Sequence, residues 1–297
     1  MPAAGVPKAC HDEILTFEQI IRFVRALQPR FQLGKVRITG GDPLVRRGTV
    51  GLIEMLAAEG INDLALTTNG QRLAEMAGDL KQAGLRRVNI SLDSLDPKTF
   101  ETLTRGGSVE PVLEGIDAAV SHGLAPVKIN TVVLRGYNDG EVASIAQYAL
   151  ERGCQIRFLE LMPIGCARSA FKELFVPTSE VRASLERSFN LEPRGRELGG
   201  SSRDYVASDA HGRSGTVGFI SPESEPFCED CSRMRLTSTG RLIACLARGE
   251  GRDIGGLLRN WTGAHEQTLS EIVAAELASK CARTTFHTPR PMAAVGG

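Results

Sequence analysis

The sequence predicts an α/β fold in which parallel strands form a partial barrel around a polar lumen. From residue 14 to 162, short apolar strands alternate with amphipathic helices, which is the pattern of βαβ units. Four of these strands are apolar on one face only: Val36 and Ile38, for example, alternate with Arg37 and Thr39. A closed eight-stranded barrel would instead fill its interior with apolar side chains. We therefore expect a wider or partly open barrel that holds a large polar ligand.

The elements of this first region follow in order. A helix is expected over 14–27 with Thr16 as its N-cap, and the first strand, 35–40, ends in Gly-Gly. The other predicted strands are 63–70, 87–93, 127–134 and 155–162. The predicted helices between them are 49–60, 71–84, 96–104, 111–123 and 141–152.

Beyond Met162 the pattern changes, which predicts a partial barrel core over 1–165 and a C-terminal region over 166–297. The elements expected in the C-terminal region are a capped helix over 177–189, a loop over 192–215, a strand over 216–221, two short strands within 233–246, and helices near 253–260 and 268–280. The final stretch, 283–297, has neither helical nor strand periodicity.

Composition narrows the class of protein. Lys and Arg number 35 against 35 Asp and Glu, and 42% of residues are hydrophobic, as in an ordinary soluble globular protein. A neutral chain does not have the overall charge of a nucleic-acid or membrane-surface binder, so neither partner is expected. The sequence has no apolar run long enough to span a bilayer, and its start lacks the apolar core of a signal peptide. A cytoplasmic protein is expected.

Three of the seven cysteines form a pattern typical of a metal centre. Cys228, Cys231 and Cys245 are spaced C-x2-C-x13-C, and we favour an iron–sulfur cluster held by three thiolates with one iron left open. The alternatives are a structural zinc site, which needs a fourth ligand that is not found at that spacing, and chance spacing. The other four, read as buried or free thiols, are Cys10, Cys154, Cys166 and Cys281.

Basic and glycine residues suggest where a ligand binds. Arg233 and Arg235 follow Cys231 at strand spacing, so they share a face and could hold phosphates together with other basic lumen residues. A solvated strand face is the alternative. Gly40-Gly41 lies at the carboxyl end of a strand, where the loops of parallel barrels carry function, although the sequence there is also that of a turn.

Seven motifs carry a resemblance to a known family. They are, in order, ITGGDPLVRRG, ALTTNG, NISLDSLDP, VKINTVVLRGYND, RFLELMP, GFISPESEPFCEDCSRMRLTSTGRLIACL and the terminal Gly-Gly. The sequence closely resembles the GTP 3',8-cyclases of molybdenum cofactor biosynthesis, which are radical S-adenosylmethionine (SAM) enzymes. The resemblance implies a partial (β/α)6-type radical SAM barrel, here missing its first strand, with a C-terminal Fe–S cluster-binding segment.

The resemblance also implies a role for particular residues. Cys228, Cys231 and Cys245 would ligate a C-terminal [4Fe–4S] cluster whose open iron contacts the purine of GTP. The implied GTP contacts are Arg37, Thr67, Lys128, Arg233, Met234 and Arg235. The implied SAM contacts are Gly41, Asp42, Ser91 and Met162. The terminal Gly296 and Gly297 would reach into the active site.

Two departures from the family pattern bear on activity. Family members carry a C-x3-C-x2-C motif that holds the SAM-cleaving [4Fe–4S] cluster, and the printed sequence has no such motif. A Met-Pro pair commonly follows that motif in the family, and Met1-Pro2 begins this sequence, so we expect a start codon assigned too late. The chain as printed is expected to be inactive, with an exposed, aggregation-prone sheet edge. Asp42 replaces the usual Glu, which is expected to weaken or re-aim its hydrogen bond to the methionine amino group of SAM.

The family reaction implied by the resemblance converts GTP to (8S)-3',8-cyclo-7,8-dihydroguanosine 5'-triphosphate. A 5'-deoxyadenosyl radical from SAM abstracts the ribose 3'-hydrogen, and the ribosyl radical attacks guanine C8. The implied partners are an electron donor and a downstream cyclic pyranopterin synthase, and a homodimer is left open. Two alternatives are a non-catalytic GTP- and Fe–S-binding remnant and another radical SAM enzyme with an auxiliary cluster.

Overall fold

The computed structural model describes residues 9–229, 231–249 and 251–280. The strands are β1 Lys35–Ile38, β2 Asp63–Thr68, β3 Arg87–Ser91, β4 Val127–Val132, β5 Gln155–Leu159, β6 Asn190–Arg196, β7 Arg203–Ser208, β8 Ser214–Ile220, β9 Arg235–Leu236, β10 Arg241–Ile243 and β11 Arg252–Asp253. The α-helices are α1 Phe17–Phe31, α2 Thr49–Ala58, α3 Leu73–Gln82, α4 Pro97–Thr104, α5 Glu110–Ser121, α6 Val142–Glu151, α7 Ala167–Leu174, α8 Thr178–Leu185, α9 Gly255–Arg259 and α10 His265–Ala278.

One mixed sheet organises the described chain, in the strand order β1-β2-β3-β4-β5-β8-β7-β6. Strands β1 to β5 and β8 pair in parallel, and the antiparallel hairpin of β6 and β7 completes the sheet. Helices connect each parallel strand to the next. A small antiparallel sheet, β11-β10-β9, begins shortly after Cys231. The predicted α/β fold on parallel strands is confirmed.

The alternation in the strands separates a core from a lumen. The apolar side chains of β2 and β3, such as Leu64, Leu66, Val88 and Ile90, are fully buried in the core. On the other face, Arg37 of β1 interacts electrostatically with Arg157 of β5. Four strand spacings of a flat sheet would separate those strands by roughly 19 Å. The sheet therefore curves around a lumen, as the one-sided polarity predicts.

Several helix ends follow the signals in the sequence, with one correction at the first helix. The Thr16 side chain accepts a hydrogen bond from Gln19 N (3.3 Å), which confirms Thr16 as an N-cap. The predicted start at residue 14 is wrong, because the helix begins after this cap, at Phe17. It continues to Phe31, past the predicted end.

The C-terminal region needs larger corrections. The predicted loop over 192–215 is wrong, because β6 and β7 form a hairpin there. The hairpin lies at the sheet edge, so β6 is almost wholly exposed and its charged residues give no apolar alternation. Helix α7 was not predicted. The predicted capped helix over 177–189 is shorter: its N-cap residue, Pro177, makes no side-chain capping hydrogen bond, and the helix ends at Leu185. Strand β8 and the short strands β9 and β10 are confirmed.

Strand β1 lies at one edge of the sheet. Strand β1 pairs with β2 alone among the described strands, and its residues are exposed or half-buried.

None of the helices in the described part of the chain has both the length and the apolar composition needed to cross a bilayer.

Candidate functional site

The strand register places polar side chains of neighbouring strands side by side in the lumen. Thr67 of β2 lies opposite Asn89 of β3, which lies opposite Lys128 of β4. Asn89 Nδ2 donates to Thr67 Oγ1 (3.1 Å), so the threonine hydroxyl keeps its own hydrogen for a ligand acceptor. Lys128 is only 9% exposed, because it lies deep between the strands.

A second polar row lies nearer the carboxyl ends of the strands. Ser91 of β3 lies opposite Asn130 of β4, which lies opposite Arg157 of β5. Asn130 Oδ1 is buried and accepts no hydrogen bond from any described residue. A buried acceptor without a partner is costly, so this amide is suited to a ligand that donates a hydrogen bond.

Basic side chains converge across the lumen. Arg37 interacts with four further arginines, from strands β3 and β5 and from the segment around β9. Lys128 interacts with two of these arginines. The members of this cationic cluster are Arg37, Arg87, Lys128, Arg157, Arg233 and Arg235. The structure therefore brings together all the basic residues implied as GTP contacts, with Arg87 and Arg157 in addition.

Crowding of these cations shifts their pKa values downward. Burial, and then the positive charge of Arg157, lowers the pKa of Lys128 to about 8. The same two causes, in the same order, lower the pKa of Arg37 to about 10. The Arg37 side chain nevertheless remains exposed to water. Cations held together at such a cost are suited to binding a polyanion.

Carboxylates partly offset this positive charge. Asp63 accepts two hydrogen bonds of 2.7 Å from Arg87, at the amino-terminal ends of the strands. Asp204 of β7 acts on Lys128 and Arg157, raising the pKa of each against the effect of burial. Glu197, in the loop after β6, acts in the same direction.

Gly218 of β8 allows Asp204 to approach Arg157. The glycine lies opposite Arg157 on one side and opposite Asp204 on the other. A Cβ atom at Gly218 would lie 2.2 Å from Ser202 Oγ, 2.6 Å from Asp204 Oδ1 and 3.3 Å from Arg157 Cγ. Ser202 Oγ donates to Asp204 Oδ1 (2.6 Å). Any side chain at Gly218 would separate this group.

The cysteine segment, residues 228–245, contains Arg233 and Arg235 of the cationic cluster. Cys231 N donates to Cys228 O (3.2 Å) in a tight turn, and Cys245 lies just beyond β10. All three thiols are half-buried. The pKa of Arg235 is lowered by burial and then by Arg233, while Cys231 and Cys245 oppose the shift. Both sulfurs therefore lie within electrostatic range of one guanidinium.

The donor set fits an iron–sulfur cluster. Within the described ranges, no three His, Cys, Asp or Glu side chains converge closely enough to hold one metal ion. A [4Fe–4S] cluster does not need such convergence, because each cysteine thiolate ligates a different iron. Three half-buried thiols around a short hairpin, beside an arginine, are donors of the required chemistry.

A buried glutamate supports the loop that leads to Cys228. Glu160 follows β5, and its carboxylate accepts hydrogen bonds from Thr178 N (2.9 Å), Glu223 N (3.1 Å) and Ser224 N (3.0 Å). It also accepts a short hydrogen bond from the Ser224 hydroxyl. This carboxylate joins the end of β5, the start of α8 and the loop after β8.

The implied SAM contacts lie at the carboxyl edge of the sheet. Gly41 and Asp42 follow β1, Ser91 ends β3, and Met162 follows β5. The Asp42 carboxylate accepts from Leu44 N (2.9 Å) through Oδ1. Its Oδ2 accepts from Thr68 Oγ1 (2.8 Å) and Asn69 N (2.6 Å), which ties the end of β1 to the end of β2. Gly296 and Gly297 lie outside the described residues.

Sequence reasoning missed two members of the cationic cluster, although their signal was present. Arg157 alternates with Ile156 and Phe158 as Arg37 does with its apolar neighbours, and Arg87 begins the same pattern in β3. Extending the alternation to every strand would have found both residues. Asp204 had no comparable signal, because its strand falls within the predicted loop.

Comparison with family models divides the chain in two. Residues 5–149 match the Radical SAM superfamily, and residues 154–286 match the family described as Molybdenum Cofactor Synthesis C. Among solved structures, Streptococcus suis SuiB has a TM-score of 0.53 at 13% identity, covering 86% of this chain and 62% of that one. SuiB bound to S-adenosylmethionine gives a TM-score of 0.54 at 14% identity, covering 86% and 61%. These two likenesses support the fold.

Curated relatives extend over most of the chain. A protein of Alkaliphilus oremlandii is 43% identical, covering 94% of this chain and 84% of its own length. A protein of Geobacter sulfurreducens is 46% identical, covering 86% and 77%. A protein of Moorella thermoacetica is 41% identical, covering 100% and 92%. Each of the three is named GTP 3',8-cyclase.

Proposed function

The chain belongs to the GTP 3',8-cyclase family of radical SAM enzymes in molybdenum cofactor biosynthesis, and on that premise we propose that its lumen binds GTP for 3',8-cyclisation. The observation that carries the proposal is the cationic cluster. It brings together six basic side chains from β1, β3, β4, β5 and the β9 segment, because four arginines interact with Arg37 and two of those four also interact with Lys128. A nucleoside triphosphate supplies the negative charge that would relieve their mutual repulsion.

The arrangement suggests how the nucleotide lies. Lys128 and Arg157 occupy adjacent rows on neighbouring strands, so together with Arg37 they can hold the triphosphate. Arg233 and Arg235, with Met234 between them, lie beside the cysteines and would face the end of the nucleotide nearest the cluster. Thr67 and Asn130 offer a donor and an acceptor between these ends. Binding through the remote phosphates would position the reacting ribose.

Cys228, Cys231 and Cys245 would hold the C-terminal [4Fe–4S] cluster, whose open iron would bind the purine, and Gly41, Asp42, Ser91 and Met162 would line the SAM site. When bound, SAM and the iron–sulfur clusters supply the radical chemistry of the family. The chain's own residues bind the nucleotide, orient its ribose and hold the cluster ligands. For Asp42, we propose a positioning part, because both of its oxygens already accept hydrogen bonds.

The remaining parts of the proposal concern the printed chain and its partners. The 297 residues contain no C-x3-C-x2-C motif, so we propose that this stretch alone does not cleave SAM. An electron donor and a downstream cyclic pyranopterin synthase would act with the active enzyme in the cytoplasm.

A chimaera tests the function. An N-terminal segment that carries the C-x3-C-x2-C motif of the family is joined to this chain, and the chimaera and the 297-residue chain are each reconstituted anaerobically with SAM, GTP and a reductant. The chimaera is expected to form 5'-deoxyadenosine and the cyclised nucleotide, and the 297-residue chain to form neither. A folded, iron-loaded chimaera without product would contradict the proposed activity. 5'-Deoxyadenosine from the printed chain would contradict its proposed inactivity.

A further inference from the structure

A lysine just beyond the last described helix contacts the cysteine segment. Lys280 Nζ donates to Cys231 O (2.9 Å), to Arg233 O and to Cys231 Sγ (3.6 Å). An ammonium group has three N–H donors, and these three contacts use all of them. The contacts span more than 45 residues of sequence, so they form only when the chain has folded.

The contacts hold the backbone on both sides of one residue. The carbonyls of Cys231 and Arg233 flank Ser232, and both point to the same ammonium group. Lys280 follows α10, which buries Leu269 and Val273 in the core and packs against α1. The lysine therefore fixes the cysteine segment to a helix that is itself anchored.

The third contact acts on the thiol itself. A cation beside a thiol favours the thiolate, which is the form that ligates iron. Hydrogen bonds to ligand sulfurs are also one of the factors that set the reduction potential of an iron–sulfur cluster.

We infer that Lys280 is a positioning residue for the C-terminal cluster, holding Cys231 in place and donating an N–H···S hydrogen bond to its thiolate. The inference rests on the proposed assignment of Cys228, Cys231 and Cys245 as cluster ligands. It predicts that loss of the ammonium weakens iron retention and makes the reduction potential of the cluster more negative, because negative charge on the sulfur is no longer offset.

The test uses Lys280→Met and Lys280→Arg in the 297-residue chain, with Lys172→Met as a matched control because Lys172 is exposed on α7. After anaerobic reconstitution, iron content, iron release to a chelator and the midpoint potential from EPR-monitored titration are measured. Circular dichroism and thermal melting of the iron-free proteins confirm that each variant folds. Iron release from Lys280→Met is expected to be about tenfold faster, the effect of losing one hydrogen bond to a charged group.

The expected pattern separates this inference from its premise. Lys280→Met shifts the midpoint potential to a more negative value, Lys280→Arg restores most of it, and Lys172→Met matches the parent. A parent chain that takes up no iron would overturn the cluster assignment and this inference with it. A parent that loads one cluster, beside a folded Lys280→Met with unchanged potential, would overturn the inference alone.

Discussion

Binding of GTP is expected to weaken in alkaline solution because Lys128 loses its charge. The groups that face Lys128 are Arg157 and Arg87, which favour loss of its proton, and Asp204 and Glu197, which oppose it. With a pKa of about 8, Lys128 is about nine-tenths protonated at pH 7 and about one-tenth at pH 9. If only the charged form binds the triphosphate, the affinity for GTP falls about tenfold between these pH values.

The lowered pKa of Lys128 also makes the stability of the ligand-free chain depend on pH. The pKa of Lys128 is lower in the folded protein than its usual value of 10.5, so its charge costs stability below pH 8 and the cost is relieved as pH rises from 8 to 10.5. The free energy of unfolding of the ligand-free chain should therefore gain from this group in that range. GTP opposes the deprotonation, because the bound phosphates restore the pKa of the lysine.

Isothermal titration calorimetry provides the assay, at constant ionic strength from pH 7 to 9, where the phosphates of GTP are already ionised. Binding at pH 9 should take up about nine-tenths of a proton, visible as a dependence of the heat on the buffer. Lys128→Arg retains its charge throughout and should bind GTP with little pH dependence. Lys128→Met should bind weakly at every pH.

Two outcomes would refute this reasoning. Parent affinity that is constant from pH 7 to 9 would show that Lys128 does not titrate in this range or does not contact the phosphates. An equal pH dependence in Lys128→Arg would assign the titration to another group.

Three further predictions concern packing, the cysteine loop and the charge of the lumen. Gly115→Ala in α5 should destabilise the fold by about 1–3 kcal/mol in urea unfolding, because the added Cβ would lie 2.9 Å from a backbone carbonyl oxygen. Its control is Gly51→Ala in α2, where the added Cβ meets no atom within 4 Å, so the change should be neutral or stabilising. Glu160→Gln should lower the free energy of unfolding by about 1–3 kcal/mol and reduce the iron content after reconstitution, because an amide cannot accept from all the N–H groups that the carboxylate holds. Glu54→Gln, at an exposed position, is the control. Asp204→Asn should bind GTP about threefold or more tightly at pH 7 by calorimetry, because it removes a negative charge beside two cations.

Contrary results would be informative for each. Equal unfolding midpoints for the two glycine variants would contradict the close packing of α5. Full iron loading and parental stability in Glu160→Gln would show that the loop does not depend on this carboxylate. Weaker GTP binding by Asp204→Asn would mean that this carboxylate supports the bound nucleotide instead of repelling it.

The lumen was largely predictable from sequence because strand alternation is a local property. Arg37 and Lys128 each alternate with apolar neighbours, so their placement on the polar face follows from the two-residue period of a strand. Arg157 obeys the same rule, because it lies between Ile156 and Phe158 in β5. The positions of Cys228 and Cys231 likewise needed only spacing.

Other contacts could not be predicted because they depend on distant pairing. Asp204 reaches Arg157 only because β7 pairs with β8 across Gly218, within a stretch whose composition is that of a loop. Lys280 meets Cys231 through the packing of α10, which local periodicity does not reveal. The hydrogen bonds of Asp42 join two strand ends that are 26 residues apart in sequence.

The central claim, that the lumen binds the triphosphate of GTP, is tested most directly by comparing nucleotides on one protein. The 297-residue chain, reconstituted anaerobically, is titrated with GTP and with GMP by calorimetry at pH 7. One GTP per chain is expected, bound at least about tenfold more tightly than GMP, and Arg157→Met should remove most of that difference. Equal affinity for GTP and GMP, or a difference that persists unchanged in Arg157→Met, would contradict the account.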